Sequence, residues 1–177
     1  MKYFQLSQDV SLHNIVKFRI KTANPLQRRI EVKKEDVSGL DGVFRFSVES
    51  NPNNVFPDIL DVPIFLVSDR IAEVFKYHFT NEDFRAVLLT DMANKQHKLY
   101  WLPIIDHVDC LHESTEYGKD GFLKNIVIDK AKVEDHKIFR IRSKHESLVA
   151  VRVEIAESLL RRGCEGVSIV PIQTTCS

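Results

Sequence analysis

The sequence predicts an α+β fold: mostly antiparallel or mixed sheets carrying two amphipathic helices, at about 69–78 and 154–162. The first observation is residues 57–77, the clearest switch from strand to helix. Ile64, Phe65, Leu66 and Val67 form a continuous apolar run, as in a strand covered on both faces. Ile71, Ala72 and Phe75 then share one helical face, with Phe79 a turn further on, while Arg70, Glu73 and Lys76 share the other. The second observation is that the same grammar returns near the end. Leu148 to Val153 is an apolar run broken by Arg152, and the helix after it buries Ile155, Ala156, Leu159 and Leu160. Third, the rest of the chain is short apolar runs separated by turn residues, which is strand-rich patterning.

Taken in order, Tyr3, Phe4 and Leu6 mark a first strand at 2–6. From Val16 to Lys21 apolar and basic residues alternate, so 12–21 reads as a strand with one wet face. Asn24-Pro25 is a turn and 26–37 is ambiguous. Gly39 and Gly42 punctuate a turn before the strand Val43, Phe44, Phe46 and Val48. Asn51-Pro52-Asn53-Asn54 is a loop. Pro63 lacks an N–H and suits a strand start, and Ser68 suits the helix N-cap, with Asp69 at the positive end of the dipole. Strands follow at 85–90 and 98–105, a hairpin around Asn94-Lys95-Gln96 whose second strand is limited by Pro103. Further strands are expected at 123–128, 138–141, 148–153 and 167–172. Arg161 and Arg162 favour the end of the last helix, and Gly163 suits the left-handed position beyond it.

Ile71-Ala72-Glu73 matches Ile155-Ala156-Glu157 at an offset of 84 residues. A duplicated strand–helix–strand unit accounts for this; so do two ordinary amphipathic helices sharing a common tripeptide, which is the preferred explanation on general grounds.

The 177 residues fit one globular domain, 1–177, with the 51–54 loop dividing a β-rich lobe 1–50 from an α+β lobe 55–177. A chain this long buries about two thirds of its unfolded surface and needs no covalent staples. Acids and bases balance to a net charge of zero, which argues against a dedicated nucleic-acid or membrane-surface binder. The window 17–34 holds seven basic residues and one acid, Glu31, with Phe18 its single aromatic, and reads as the solvated face of strands. Cys110, Cys164 and Cys176 are odd in number, widely spaced and form no C-x-x-C, which suits free thiols in a reducing compartment. Met1–Ser7 has no apolar segment of signal-peptide length, and no stretch approaches the ~20 apolar residues that cross a bilayer. A cytoplasmic protein is expected.

Catalytic signatures are missing: there is no P-loop, G-x-G-x-x-G, H-E-x-x-H or G-x-S-x-G, and six glycines are too few for a phosphate cradle. One cluster draws attention. Asp106, His107, Asp109, Cys110, His112 and Glu113 are all metal-ligand types within eight residues. A tetrahedral site needs a second ligand pair from elsewhere; no well-spaced pair exists, and His136 and His145 are isolated candidates. An acidic surface loop with Cys110 partly buried is preferred. The same thiol, with His107 or His112 as a base, meets the composition of a nucleophilic site, but Asp109 beside it would raise its pKa. No catalytic, cofactor-binding or metal residue is therefore assigned, and no cofactor is expected.

Five segments, in this order and spacing, resemble the eleventh immunity-protein family of bacterial polymorphic-toxin systems. They are Lys2-Tyr3-Phe4-Gln5-Leu6-Ser7; Phe56-Pro57-Asp58-Ile59 followed by Pro63 to Ser68; Tyr100-Trp101-Leu102; Val108-Asp109-Cys110-Leu111; and the closing helix and strand with Gly166. The resemblance covers nearly the whole chain and is firmest over 57–172. It implies a cytoplasmic antidote that binds a cognate toxin domain, and it carries over no catalytic residue. With it, Asp106, His107, Asp109, His112, Glu113 and Glu116 become the candidate partner surface, since acidic faces speed association with basic toxins. The alternatives are a metal-dependent hydrolase built on Asp106–Glu113, and a self-associating module, a homodimer through edge strands.

Overall fold

The computed structural model describes residues 1–19, 30–37, 42–78, 84–143 and 146–175. The fold is α+β, with two larger sheets of mixed pairing. The chain divides into two compact units: Met1–Ser7, Ile105–Gly163 and Ser168–Ser177 form one, and Gln8–Ile104 with Cys164–Val167 form the other. The 51–54 loop, expected to separate an N-terminal lobe from a C-terminal one, lies inside the second of these units. What divides the chain instead is long-range strand pairing.

The chain begins with β1 (Tyr3–Gln8), which belongs mostly to the first unit. The second unit then contributes α1 (Lys34–Val37), β2 (Phe44–Ser47), β3 (Ile59–Leu60), β4 (Leu66–Val67), α2 (Asp69–His78), β5 (Phe84–Asp91) and β6 (Gln96–Pro103). Its five-stranded sheet runs β2-β5-β6-β4-β3. The β2–β5 pair is parallel and the other three pairs are antiparallel. The β5–β6 hairpin pairs Phe84 with Pro103 through to Asp91 with Gln96, so Pro103 is where β6 stops. The strand period shows in the register. Val87, Leu89 and Tyr100 are buried in a core with Val16, Val48, Leu60, Leu66 and Leu102, and Phe44 and Phe46 of β2 pack onto it. Helix α2 buries Ile71, Ala72, Val74 and Phe75, extending the expected stripe by Val74. The position of Phe79 lies outside the described residues.

Ser68 sits at the cap position, its carbonyl accepting from Ala72 N (2.9 Å) at the start of α2. Its hydroxyl donates to Asp58 Oδ1 (2.5 Å), a partner that only the fold brings near. The 12–21 segment is not a continuous strand in its described part. Ile15 bridges Val55 and Phe18 bridges Val48, while Ile20 and Lys21 fall outside the described residues. Alternation alone produced the strand expectation; two isolated bridges satisfy it only locally.

The first unit continues with β7 (His107–Val108), β8 (Glu116–Tyr117), β9 (Leu123–Asn125), β10 (Val127–Ile128), α3 (Lys130–Val133), β11 (Ile138–Arg142), β12 (Ser147–Arg152), α4 (Val153–Arg161) and β13 (Val167–Thr174). Its six-stranded sheet runs β10-β13-β1-β12-β11-β7, and β8 and β9 form a separate two-stranded hairpin. Helix α4 buries Ile155, Ala156 and Leu159, whereas Leu160, expected inside, is exposed. Asp129 caps α3 by accepting from Ala131 N. The core here gathers Tyr3, Cys110, Ile128, Val133, Phe139, Ile141, Leu148 and Ala150. No described helix is long and apolar enough to cross a membrane.

Candidate functional site

The candidate surface, residues 106–121, belongs wholly to the first unit. It starts where β7 adds to the sheet edge: His107 and Val108 pair in parallel with Arg140 and Ile141, and Arg140 N donates to Asp106 O (2.8 Å). This two-residue strand leaves the sheet at once. Cys110 then turns inward and is fully buried, and Leu111 bridges Ile128. Asp129 N donates to Cys110 O (2.8 Å) and His112 N to Val127 O (2.9 Å), so the loop is pinned by its backbone. Thr115 adds a reciprocal pair, its hydroxyl donating to Val127 O (2.8 Å) and accepting from Val127 N (3.1 Å).

With the backbone tied down, the side chains separate by chemistry. Asp106, Asp109, Glu113 and Glu116 are exposed, and His107 and His112 are half-buried. His112 Nδ1 lies 2.8 Å from Ser114 Oγ and also accepts from Ser114 N (3.3 Å), so this ring is occupied locally. The apolar body of the segment points the other way, with Val108 and Leu111 against the core. Tyr117 and Phe122, on the β8–β9 hairpin, are exposed.

The Cys110 thiol is pushed up to about 11, chiefly by burial, with the Asp109 charge adding to the rise. It is therefore held as a thiol at neutral pH, and a thiolate nucleophile is not available there. The ligand-type side chains do not converge either. Among the described residues, no group of three or more His, Cys, Asp or Glu side chains could hold a metal ion. The reason is local: Cys110 faces the core while its acidic neighbours face solvent. His145, one of the two isolated partners read from the sequence, lies outside the described residues.

Two features were not legible in the sequence. The first is the Asp91 cluster in the second unit. Asp91 is fully buried, accepts from Ser50 Oγ (2.5 Å) and from Asn94 N (3.2 Å) and Nδ2 (2.9 Å), and has its carboxyl held down to about 2 by Ser50 first and Asn94 next. These bonds close the β5–β6 turn and stabilise it. The second is a polar cavity of about 430 Å³ lined by His13, Asn14, Lys17, Glu49, Ser50 and Asn54 among others. Asn54 Nδ2 donates across its wall to Glu49 O (2.7 Å). Only the Asn51–Asn54 loop signal marked its location. Of the basic window, Lys17, Arg19 and Lys33 are exposed, and positions 20–29 lie outside the described residues.

No family model and no curated protein matches the chain.

Proposed function

We propose that the chain is an immunity protein that binds a cognate bacterial toxin domain in the cytoplasm and neutralises it without catalysis. The observation that carries this reading is the division of labour in 106–117. The backbone is pinned and Cys110 is buried, yet Asp106, Asp109, Glu113 and Glu116 all present their carboxylates to solvent. Fixed, exposed acids next to the exposed Tyr117 supply what a basic partner needs: long-range attraction and an aromatic contact. The family resemblance supports the same reading. The test is co-expression with the toxin domain encoded beside this chain. Protection of growth together with a co-purifying complex supports the proposal. A toxin that kills equally with and without the chain refutes it.

A further inference from the structure

The two sheets are built on one plan. In the second unit the order is β2-β5-β6-β4-β3; in the first it is β10-β13-β1-β12-β11, with β7 added outside. Position by position the pairings agree. β2–β5 and β10–β13 are parallel. β6–β4 and β1–β12 are antiparallel, as are β4–β3 and β12–β11. For β5–β6 the pairing is antiparallel, and Asp9 N donating to Gly166 O (3.0 Å) sets the end of β1 beside the start of β13, the same sense.

Chain order agrees too. β2, β3, β4, α2, β5 correspond to β10, β11, β12, α4, β13. α2 begins at Asp69 and α4 at Val153, 84 positions apart. β5 begins at Phe84 and β13 at Val167, 83 apart, and β2 at Phe44 and β10 at Val127, again 83. β3 and β11 differ by 79, a change in loop length. Ile71, Ala72 and Phe75 of α2 map at 84 onto Ile155, Ala156 and Leu159 of α4, and all six are buried.

The last strand of the plan breaks the order. β6 follows β5, but its counterpart β1 comes from the other end of the chain. Register is shifted by three residues at the parallel pair, where Phe44 faces Val87 but Val127 faces Gln173, and agrees at the strand that breaks the order. Val67 pairs with Ile59 and with Trp101; Val151, 84 on, pairs with Ile138 and with Phe4. Trp101 thus corresponds to Phe4, and the residue before each is a tyrosine. Tyr100 and Tyr3 are both fully buried, and each hydroxyl donates to a backbone carbonyl: Tyr100 to Pro57 (2.6 Å), Tyr3 to Val133 (2.7 Å).

We infer that the chain holds two copies of one βββαββ module, the second circularly permuted, and that the groove between β12 and β13 is a strand-acceptor site whose ligand is the extended segment Tyr3–Gln8. The site recognises an extended peptide by main-chain pairing, with a tyrosine hydroxyl as its buried anchor. Without β1 the six-stranded sheet falls into a β10-β13 pair and a β12-β11-β7 triplet, so this unit completes only when its donated strand docks.

Two variants test this. In the first, residues 2–8 are moved behind Thr175 through a four-residue linker patterned on the 92–95 turn between β5 and β6. It is expected to be monomeric and to unfold cooperatively within about 5 °C of the parent. In the second, residues 2–8 are deleted and a labelled peptide of residues 1–10 is added. The peptide is expected to bind at least about tenfold more tightly than its Tyr3→Ala form, a factor in the range for a lost buried anchor. A permutant that fails to fold overturns the inference, as does a folded deletion variant that binds the two peptides equally.

Discussion

Asp58 and Glu165, 107 positions apart, are joined twice: Asp58 N donates to Glu165 O (2.8 Å), and Glu165 N donates to Asp58 Oδ2 (2.7 Å). The same carboxylate takes the Ser68 hydroxyl, and Arg70 Nη1 lies at 3.4 Å. One side chain therefore ties the start of α2 to the Cys164–Val167 segment that belongs to the same unit. Asp58→Ala leaves the Ser68 hydroxyl and the Glu165 amide without this acceptor, and is expected to cost about 2 kcal/mol, read as a lower midpoint in urea. A midpoint unchanged from the parent removes the staple role.

Gly166 and Gly163 separate strain from crowding. Both have positive φ, +69° and +60°. A Cβ at Gly163 meets open space, whereas one at Gly166 overlaps Pro57 Cβ and Leu12 Cδ1. Gly163→Ala is expected to cost about 1 kcal/mol from the left-handed backbone alone. Gly166→Ala is expected to cost clearly more, about 2 kcal/mol or above, since backbone strain and overlap add. Thermal unfolding of the two variants side by side checks the order.

Asp91 sets an acid limit. Its folded-state pKa of about 2 lies below the unfolded value, so its contribution is fully present above about pH 4 and is lost as pH falls toward 2. Asp91→Asn is expected to lower the unfolding midpoint at pH 7 and to narrow its gap to the parent between pH 4 and 2. A gap that stays constant across that interval contradicts this assignment.

Cys110 should behave as a core thiol. In a variant carrying Cys164→Ser and Cys176→Ser, the remaining thiol is expected to react with an aromatic disulfide at pH 8 on the order of a hundredfold more slowly when folded than in denaturant, given a pKa of about 11 and full burial. Rapid reaction of the folded protein would reopen the nucleophile reading.

Local signals were legible and non-local ones were not. Helix α2 was expected at 69–78 and spans Asp69–His78, because Ile71, Ala72 and Phe75 carry the helical period within ten residues. Helix α4 and the β5–β6 and β11–β12 hairpins rest on similarly local patterns. The two-residue strands β3, β4, β7, β8 and β10 are too short for any period to show, although the apolar run 64–67 marked the site of β4. The placement of β1 beside β12 joins residues nearly 150 positions apart, as in Tyr3 with Arg152, and nothing in either segment names the other. The tripeptide Ile-Ala-Glu hinted at duplication, but two ordinary helices were the preferred explanation, because the sheet order and strand pairing that support duplication are non-local. In the candidate site, the exposure of Asp106, Asp109, Glu113 and Glu116 followed the expected acidic loop, whereas Cys110, expected to be partly buried, is fully buried. His112 turning to Ser114 did not, because that contact depends on the loop's pinned backbone.

On the proposed function, the exposed acids of 106–116 receive a basic toxin domain. The test is titration calorimetry of a candidate toxin domain, sought in the neighbouring reading frame, against the parent and against the triple variant Asp106→Lys, Asp109→Lys, Glu113→Lys. A one-to-one complex is expected for the parent. For the triple variant the affinity is expected to be at least about tenfold weaker at low salt, a difference that shrinks as salt screens the charges, with an unchanged unfolding midpoint. Equal affinity of parent and triple variant at low salt would contradict that role of the acids.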